Sequence, residues 1–196
     1  MRFPTKSALF LSLSVVSIAS ADPIISIERV AGDDAVSKWA GTSLPAPVKD
    51  DLAQSAKFRI VDGQADLNSG DVSLLHDGKL PDEEDSPHDN FFFAAGTDGG
   101  RLAIDLGAAK PVAQVNTYSW HGNSRAPQVY TLYAADGAAN GFDASPKEGT
   151  DPAKLGWTLL ANVDTRAQGE GGQHAVSVGS VGANAAPRRS APSAIC

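Results

Sequence analysis

Short apolar runs, each closed by glycine, proline, aspartate or asparagine, divide most of this sequence and limit its possible folds more than any other feature. Long stretches with the apolar period of an amphipathic helix are absent from it. Short apolar runs separated by turn residues are typical of many short strands joined by tight connections. With 19 glycines available for those turns, the sequence predicts an all-β domain.

Six segments have the composition of strands. In the clearest, 101–107, the apolar residues Leu102, Ile104 and Leu106 lie at every second position and so share one face. The other five are rich in apolar or β-branched residues, and most of them end at turn signals. They are 58–61, 112–120, 128–135, 157–163 and 173–178.

Two of these segments, 112–120 and 128–135, are apolar on both faces. This pattern predicts central strands covered on both sides, as in a β-sandwich of the jelly-roll type. A short helix is predicted over 48–57. Segment 77–90 reads as an acidic loop, and 179–196 has no apolar periodicity and is predicted to be a disordered tail.

The first 21 residues have the features of a secretory signal peptide. Arg2 and Lys6 precede an apolar run at 8–18, and the small residues at 19–21 form a cleavage site. The alternative is a buried N-terminal strand or helix. We therefore expect residues 1–21 to be removed, residues 22–178 to form one β-sandwich binding domain, and the protein to be secreted, extracellular or periplasmic.

The charge of the chain limits the classes of partner, and its cysteine content limits the sources of its stability. The formal net charge of −7 disfavours nucleic acid, because an acidic surface repels phosphate. No segment after the signal peptide offers the 20 or so apolar residues of a membrane span. Cys196 is the only cysteine, so the chain has no intrachain disulfide and its stability depends on its core or on a metal.

Several motifs occur in an order that resembles a known family. They are LHDG at 75–78, FFF at 91–93, LAIDLG at 102–107, Arg125, YTLYAADG at 130–137 and Trp157. This arrangement resembles the discoidin family, also called the coagulation factor 5/8 type C family, over about residues 58–178. The resemblance implies a galactose-binding-like jelly roll that binds glycans, lipid headgroups or proteins through loops at one end, without catalysis. It also implies a structural calcium ion near the Asp-Gly loop.

The sequence departs from the family pattern at two places. Ala135 stands where the family has serine before Asp-Gly. The family has a final strand after the 173–178 segment, whereas residues 182–196 contain Pro187 and Pro192 and only Ile195 as a large apolar residue. We therefore expect the last strand of the sandwich to be missing.

The acidic loop is a candidate calcium site. Calcium takes six to eight oxygen ligands from carboxylates and carbonyls in flexible loops. Asp77 and Asp82 are the best candidate ligands, among the six acidic residues of segment 77–90. The alternative is a solvated acidic loop without a metal.

The loop after segment 112–120 is the candidate ligand site. His121, Asn123 and Arg125 offer directional hydrogen bonds to sugar hydroxyls, and Trp120 offers an aromatic face. The alternative for His121 is a loop histidine bonded to the backbone. For Arg125 it is a structural ion pair with Asp105 or Asp136.

Other motifs carry no chemistry of their own. Trp39 and Trp157 are expected in the core rather than as sugar platforms. Residues 169–172 form a turn and not a phosphate loop, since no Gly-Lys-Ser/Thr follows. No spacing of Ser, His, Asp or Cys residues matches a catalytic site.

The expected function is non-catalytic binding of a glycan or another cell-surface ligand. A structural or protein-interaction module from a larger surface protein is the alternative.

Overall fold

A computed structural model describes residues 22–97 and 99–179 of the chain. Seven strands form this part of the molecule, and every strand pair is antiparallel. They are β1 (Ile24–Val30), β2 (Lys57–Asp62), β3 (Arg101–Asp105), β4 (Gln114–His121), β5 (Val129–Ala134), β6 (Thr158–Asp164) and β7 (Gly172–Gly179). The only helices in the described ranges are six short 3₁₀ turns, so the all-β prediction is confirmed.

All six predicted strand segments form strands, and β1 is an additional one that the sequence did not predict. The predicted helix over 48–57 is wrong. Only Leu52–Ser55 forms a 3₁₀ turn, which starts where the Asp51 side chain accepts the Ala53 N–H. It ends at Ala56, whose backbone is extended, and β2 begins immediately afterwards. A helix cannot extend to residue 57 because Lys57 already pairs with Asp105 of β3.

Strands β1, β7 and β4 form a three-stranded sheet with β7 in the middle. Every residue of β7 is buried. Its Val176 and Val178 pair with Thr117 and Val115 of β4, and both valines belong to the main core cluster. Val115 is also a member, and the remaining buried members come from β5 and β6, so the core lies between this sheet and the β5–β6 pair.

The prediction that segments 112–120 and 128–135 form central strands is wrong. β4 is an outer strand of its sheet, and β5 pairs with β6 alone among the described strands. The second face of β4 is apolar because a loop packs on it: the Tyr118 ring meets Trp39 edge-on at 5.8 Å, and its hydroxyl donates to the Pro45 carbonyl. Two-sided apolarity here reflects a covering loop and not a central position.

Two side chains attach the covering loop, residues 36–46, to the three-stranded sheet. The Glu28 carboxylate on β1 accepts the N–H groups of residues 42–44 at 2.6–3.0 Å. Partial burial by itself would raise the pKa of Glu28, but these three N–H donors lower it below its usual value. From β7, the Gln173 side chain bonds the backbone of Val36, Lys38 and Ala40.

Both tryptophans expected in the core are half-buried and pack in loops. Trp39 Nε1 donates to the Leu44 carbonyl at 2.8 Å, and Trp157 Nε1 donates to the Asp143 carbonyl at 2.8 Å. The Trp157 ring packs against Phe142, with the ring centres 5.2 Å apart. Because both indole N–H groups bond within the protein, these rings support the loops rather than the central cluster.

The turn predicted at 169–172 is present and leads into β7. Gly172 has a φ of +83°, and a Cβ there would lie 2.0 Å from the Val30 carbonyl oxygen, so the position requires glycine. The predicted signal peptide, residues 1–21, lies outside the described residues, as does the predicted tail beyond Gly179. None of the helices in the described ranges has the length and hydropathy needed to cross a bilayer.

Candidate functional site

A wide, open cleft of about 1880 Å³ lies against strands β3, β4 and β5. Its walls are largely apolar, and they include Phe58, Leu102 and Leu132. At one end the lining becomes polar, where the acidic loop 77–90 meets the loop that follows β4. This polar end brings together several of the residues expected to bind a ligand.

Hydrogen bonds around Asn123 hold the loop after β4 in one conformation. The Asn123 N–H donates to His121 Nδ1 at 3.2 Å, and its side-chain oxygen accepts the Arg125 N–H at 3.2 Å. The Asn123 carbonyl accepts the N–H groups of Ala126 and Gly171. The loop is thereby joined to the turn before β7, so the His121 and Arg125 backbones are fixed in place.

Asp85 is the point on which the other side chains converge. Its Oδ1 lies 3.4 Å from His121 Nε2 and 3.7 Å from Arg125 Nη2. Because His121 Nδ1 accepts a backbone N–H, a neutral His121 carries its proton on Nε2, the atom nearest to Asp85. The side chains of Asp85 and Arg125 are 65% and 63% exposed, whereas that of His121 is 14% exposed. The carboxylate and the guanidinium therefore face solvent, and the imidazole beside them is mostly covered.

A second carboxylate borders the same group. Glu84 lies against Gly122, where a Cβ would come within 3.0 Å of its Oε1. The polar end therefore offers carboxylate acceptors, a guanidinium donor and an imidazole within a small area. Such a mixture matches a ligand whose hydroxyls both donate and accept hydrogen bonds.

The four expected ligand-binding residues do not all reach this site. His121 lies on the face of β4 that carries Val115 and Thr117, whereas Trp120, one residue earlier, points to the opposite face with Tyr118. Asn123 uses its groups to shape the loop. His121 and Arg125 are thus brought together, Asn123 positions them, and Trp120 lines the cleft from the other face of β4.

Both structural alternatives for these residues hold in part. His121 bonds to the backbone through Nδ1, as a loop histidine would. Arg125 forms an ion pair, but with Asp85 and not with Asp105 or Asp136 as expected. The sequence missed Asp85 because nothing in the acidic loop distinguishes one of its six carboxylates from the others.

The two candidate calcium ligands lie on the acidic loop. Asp77 Oδ1 accepts the Lys79 N–H at 2.9 Å, which forms a tight turn, and Asp82 is exposed. Gly78 makes that turn possible, since a Cβ there would lie 2.6 Å from the Lys49 backbone nitrogen. Within the described ranges, no group of three or more His, Cys, Asp or Glu side chains is placed to hold a metal. Calcium binding stays a prediction.

A buried polar network lies between β4 and β7, next to the loop that follows β4. The Thr165 hydroxyl accepts the Gln128 N–H at 2.8 Å and lies 3.0 Å from His174 Nδ1. Gln128 Nε2 donates to the Thr117 and His174 carbonyls, which joins β4 to β7 next to the ligand loop. His174 and Thr165 are both fully buried. Sequence reasoning missed this network because its members lie far apart along the chain.

His174 gives the fold a pH dependence. Burial lowers its pKa, and the charge of Arg29 lowers it further, while the Gly171 backbone opposes both. A histidine with a lowered folded-state pKa stabilises the fold fully above its unfolded pKa, about 6.5, and loses that contribution as the pH falls.

We expect the free energy of unfolding to fall between pH 7 and pH 5, by at most about 1.4 kcal/mol per pH unit from this one group. Urea titrations of the wild type and His174→Asn across that range measure the effect. The variant is expected to have a flatter profile. Equal slopes in both proteins would contradict the assignment to His174.

No protein-family model matches this chain, and no curated protein or solved structure is significantly similar to it.

Proposed function

We propose that this chain is a secreted, non-catalytic binding module that takes a carbohydrate at the polar end of the cleft, between His121, Arg125 and Asp85. The observation that carries the proposal is the convergence of an imidazole and a guanidinium on one carboxylate, 3.4 and 3.7 Å away. We also propose a jelly-roll sandwich of the galactose-binding-like type that lacks its last strand. The motif order resembling the discoidin family supports both.

The geometry of the site favours sugar hydroxyls over other small ligands. Neighbouring hydroxyls of a sugar each donate and accept, and Asp85 beside Arg125 offers an acceptor and a donor in matching positions. The ring nitrogens of His121 face the Asn123 amide and Asp85. A histidine so engaged is better suited to orienting a ligand than to activating a nucleophile, which supports binding rather than catalysis.

Variants of the polar end test the proposal. A glycan array first identifies the sugar bound by the wild type, and calorimetry then measures its affinity. His121→Ala and Asp85→Asn are each expected to weaken binding at least about tenfold, because Asp85→Asn removes the charged acceptor and His121→Ala removes the side chain that orients it. The melting temperature is expected to change little.

Glu83→Gln is the matched control, since Glu83 is an exposed carboxylate of the same loop that does not line the cleft. It is expected to bind the sugar as the wild type does. If His121→Ala and Asp85→Asn bind as tightly as this control, the ligand is not held at this site.

Structural calcium in the acidic loop is a separate proposal, and it rests on the carboxylates around Asp77. Calcium at millimolar concentration is expected to raise the melting temperature with the logarithm of its concentration. Asp77→Asn keeps an acceptor for the Lys79 N–H but removes the charge, so it is expected to abolish that rise. A wild-type melting temperature that does not respond to calcium would return the loop to a solvated acidic surface.

A further inference from the structure

The cleft contains more than the sugar site, because it follows the length of β5. All five successive residues from Val129 to Tyr133 line it. Side chains alternate between the two faces of a strand, so a strand that presented one face would contribute every second residue. A run that includes both faces is what a cleft beside the backbone edge of β5 would produce, and residues 115–121 of β4 line the cleft in the same way. Among the described strands, β5 pairs on its other edge with β6 alone.

The size of the cleft indicates a polymer rather than a small molecule. Its volume of about 1880 Å³ exceeds the roughly 300–1,000 Å³ usual for small-ligand pockets. Apolar side chains that are partly or fully exposed line it, among them Leu74, Phe93 and Val129. An occupant that bonds a strand edge and covers apolar side chains at every second position is itself an extended strand.

The charge of the side chains that line the cleft indicates the charge of the segment that it would bind. Seven Asp or Glu side chains line the cleft, against three Lys or Arg side chains. An extended segment with lysine or arginine at its ends would therefore be attracted, whereas an acidic one would be repelled.

We propose that the cleft accepts an extended, basic peptide segment of another polypeptide, which adds as a strand to β5 and covers the apolar wall. This interaction goes beyond sugar binding and does not depend on it. The backbone edge of β5 supplies the affinity, and the alternating apolar side chains together with the basic ends supply the selectivity.

A synthetic peptide tests the proposal with the full chain. The probe has about eight residues, the length of an ordinary strand. It alternates valine with threonine and carries one lysine at each end. Saturable binding by fluorescence anisotropy is expected. A peptide with proline in place of threonine keeps the valines and the charge but loses strand donors, and it is expected to bind at least tenfold more weakly. A peptide with glutamate ends is expected to bind more weakly at low salt.

A matched pair of variants locates the binding on β5. Val129 is 57% exposed at the start of the strand and lines the cleft. Val129→Lys adds a like charge beside the basic peptide and is expected to weaken binding at least tenfold, whereas Val129→Thr is expected to leave it unchanged. His121→Ala is also expected to leave it unchanged, which separates this site from the sugar site.

Three results would overturn the proposal. Equal binding of the threonine and proline peptides would mean that the cleft takes any apolar chain. Binding that begins only when residues 180–196 are removed would assign the cleft to the end of this chain. A dimer in sedimentation experiments that Val129→Lys dissociates would assign it to a second copy.

Discussion

Gln173→Ala is expected to lower the free energy of unfolding by about 3 kcal/mol or more. Gln173 is fully buried on the central strand β7. Its Nε2 donates to the Val36 and Lys38 carbonyls, and its Oε1 accepts the Ala40 N–H. Alanine would leave three partly buried backbone groups without these partners, and each such loss costs about 1–3 kcal/mol before water compensates.

Urea denaturation measures the loss, with Gln54→Ala as the control because Gln54 is exposed. The control is expected to unfold as the wild type does. A Gln173→Ala variant within about 0.5 kcal/mol of the wild type would mean that the covering loop does not depend on this side chain.

A strand supplied in place of residues 180–196 is expected to have the opposite effect. The segment has about eight alternating valine and threonine residues and is fused after Gly179 through a flexible glycine linker, whose length is chosen to span the distance to the β5 edge. Burying two or three large apolar side chains there is expected to raise the free energy of unfolding by roughly 4–6 kcal/mol.

The matched fusion carries the same valines with proline in place of threonine, which removes strand donors. It is expected to gain little. If the two fusions are equally stable, the cleft does not require a strand, and the proposal of a sandwich that lacks its last strand loses its main physical support.

The strands could be predicted because their signals are local. Alternating apolar residues and turn signals at segments such as 101–107 depend only on neighbours in the sequence. The order of the strands could not be predicted, because β-sheet pairing is set by distant residues. β7 contains Gln173, His174 and Ser177, so its sequence does not look like that of a buried central strand.

β7 can be buried because distant groups bond its polar side chains. Gln173 reaches the covering loop at residues more than 130 positions earlier. β1 was missed for a related reason, since Glu28 interrupts its apolar pattern and is explained only by the N–H groups of residues 42–44. In both strands the polar residues serve contacts that a local pattern does not reveal.

The candidate site also contains residues that a local pattern reveals and a residue that it does not. His121 and Arg125 could be found because they lie four positions apart in one loop that follows a predicted strand. Asp85 lies on a different loop, and it joins them only when the fold brings the two loops together. Trp120 also lines the cleft, but it lies on the face of β4 opposite to His121, because neighbouring strand residues point to opposite faces.

The most direct test of the central claim is an amide chemical-shift titration of ¹⁵N-labelled protein with the sugar that binds best on the array. Sugar binding at the polar end predicts saturable shifts concentrated at residues 84–85 and 121–125, where His121, Arg125 and Asp85 converge. Val129 and the rest of β5 are expected to shift little. Saturable shifts confined to another surface, or no shifts at residues 84–85 and 121–125, would contradict the claim.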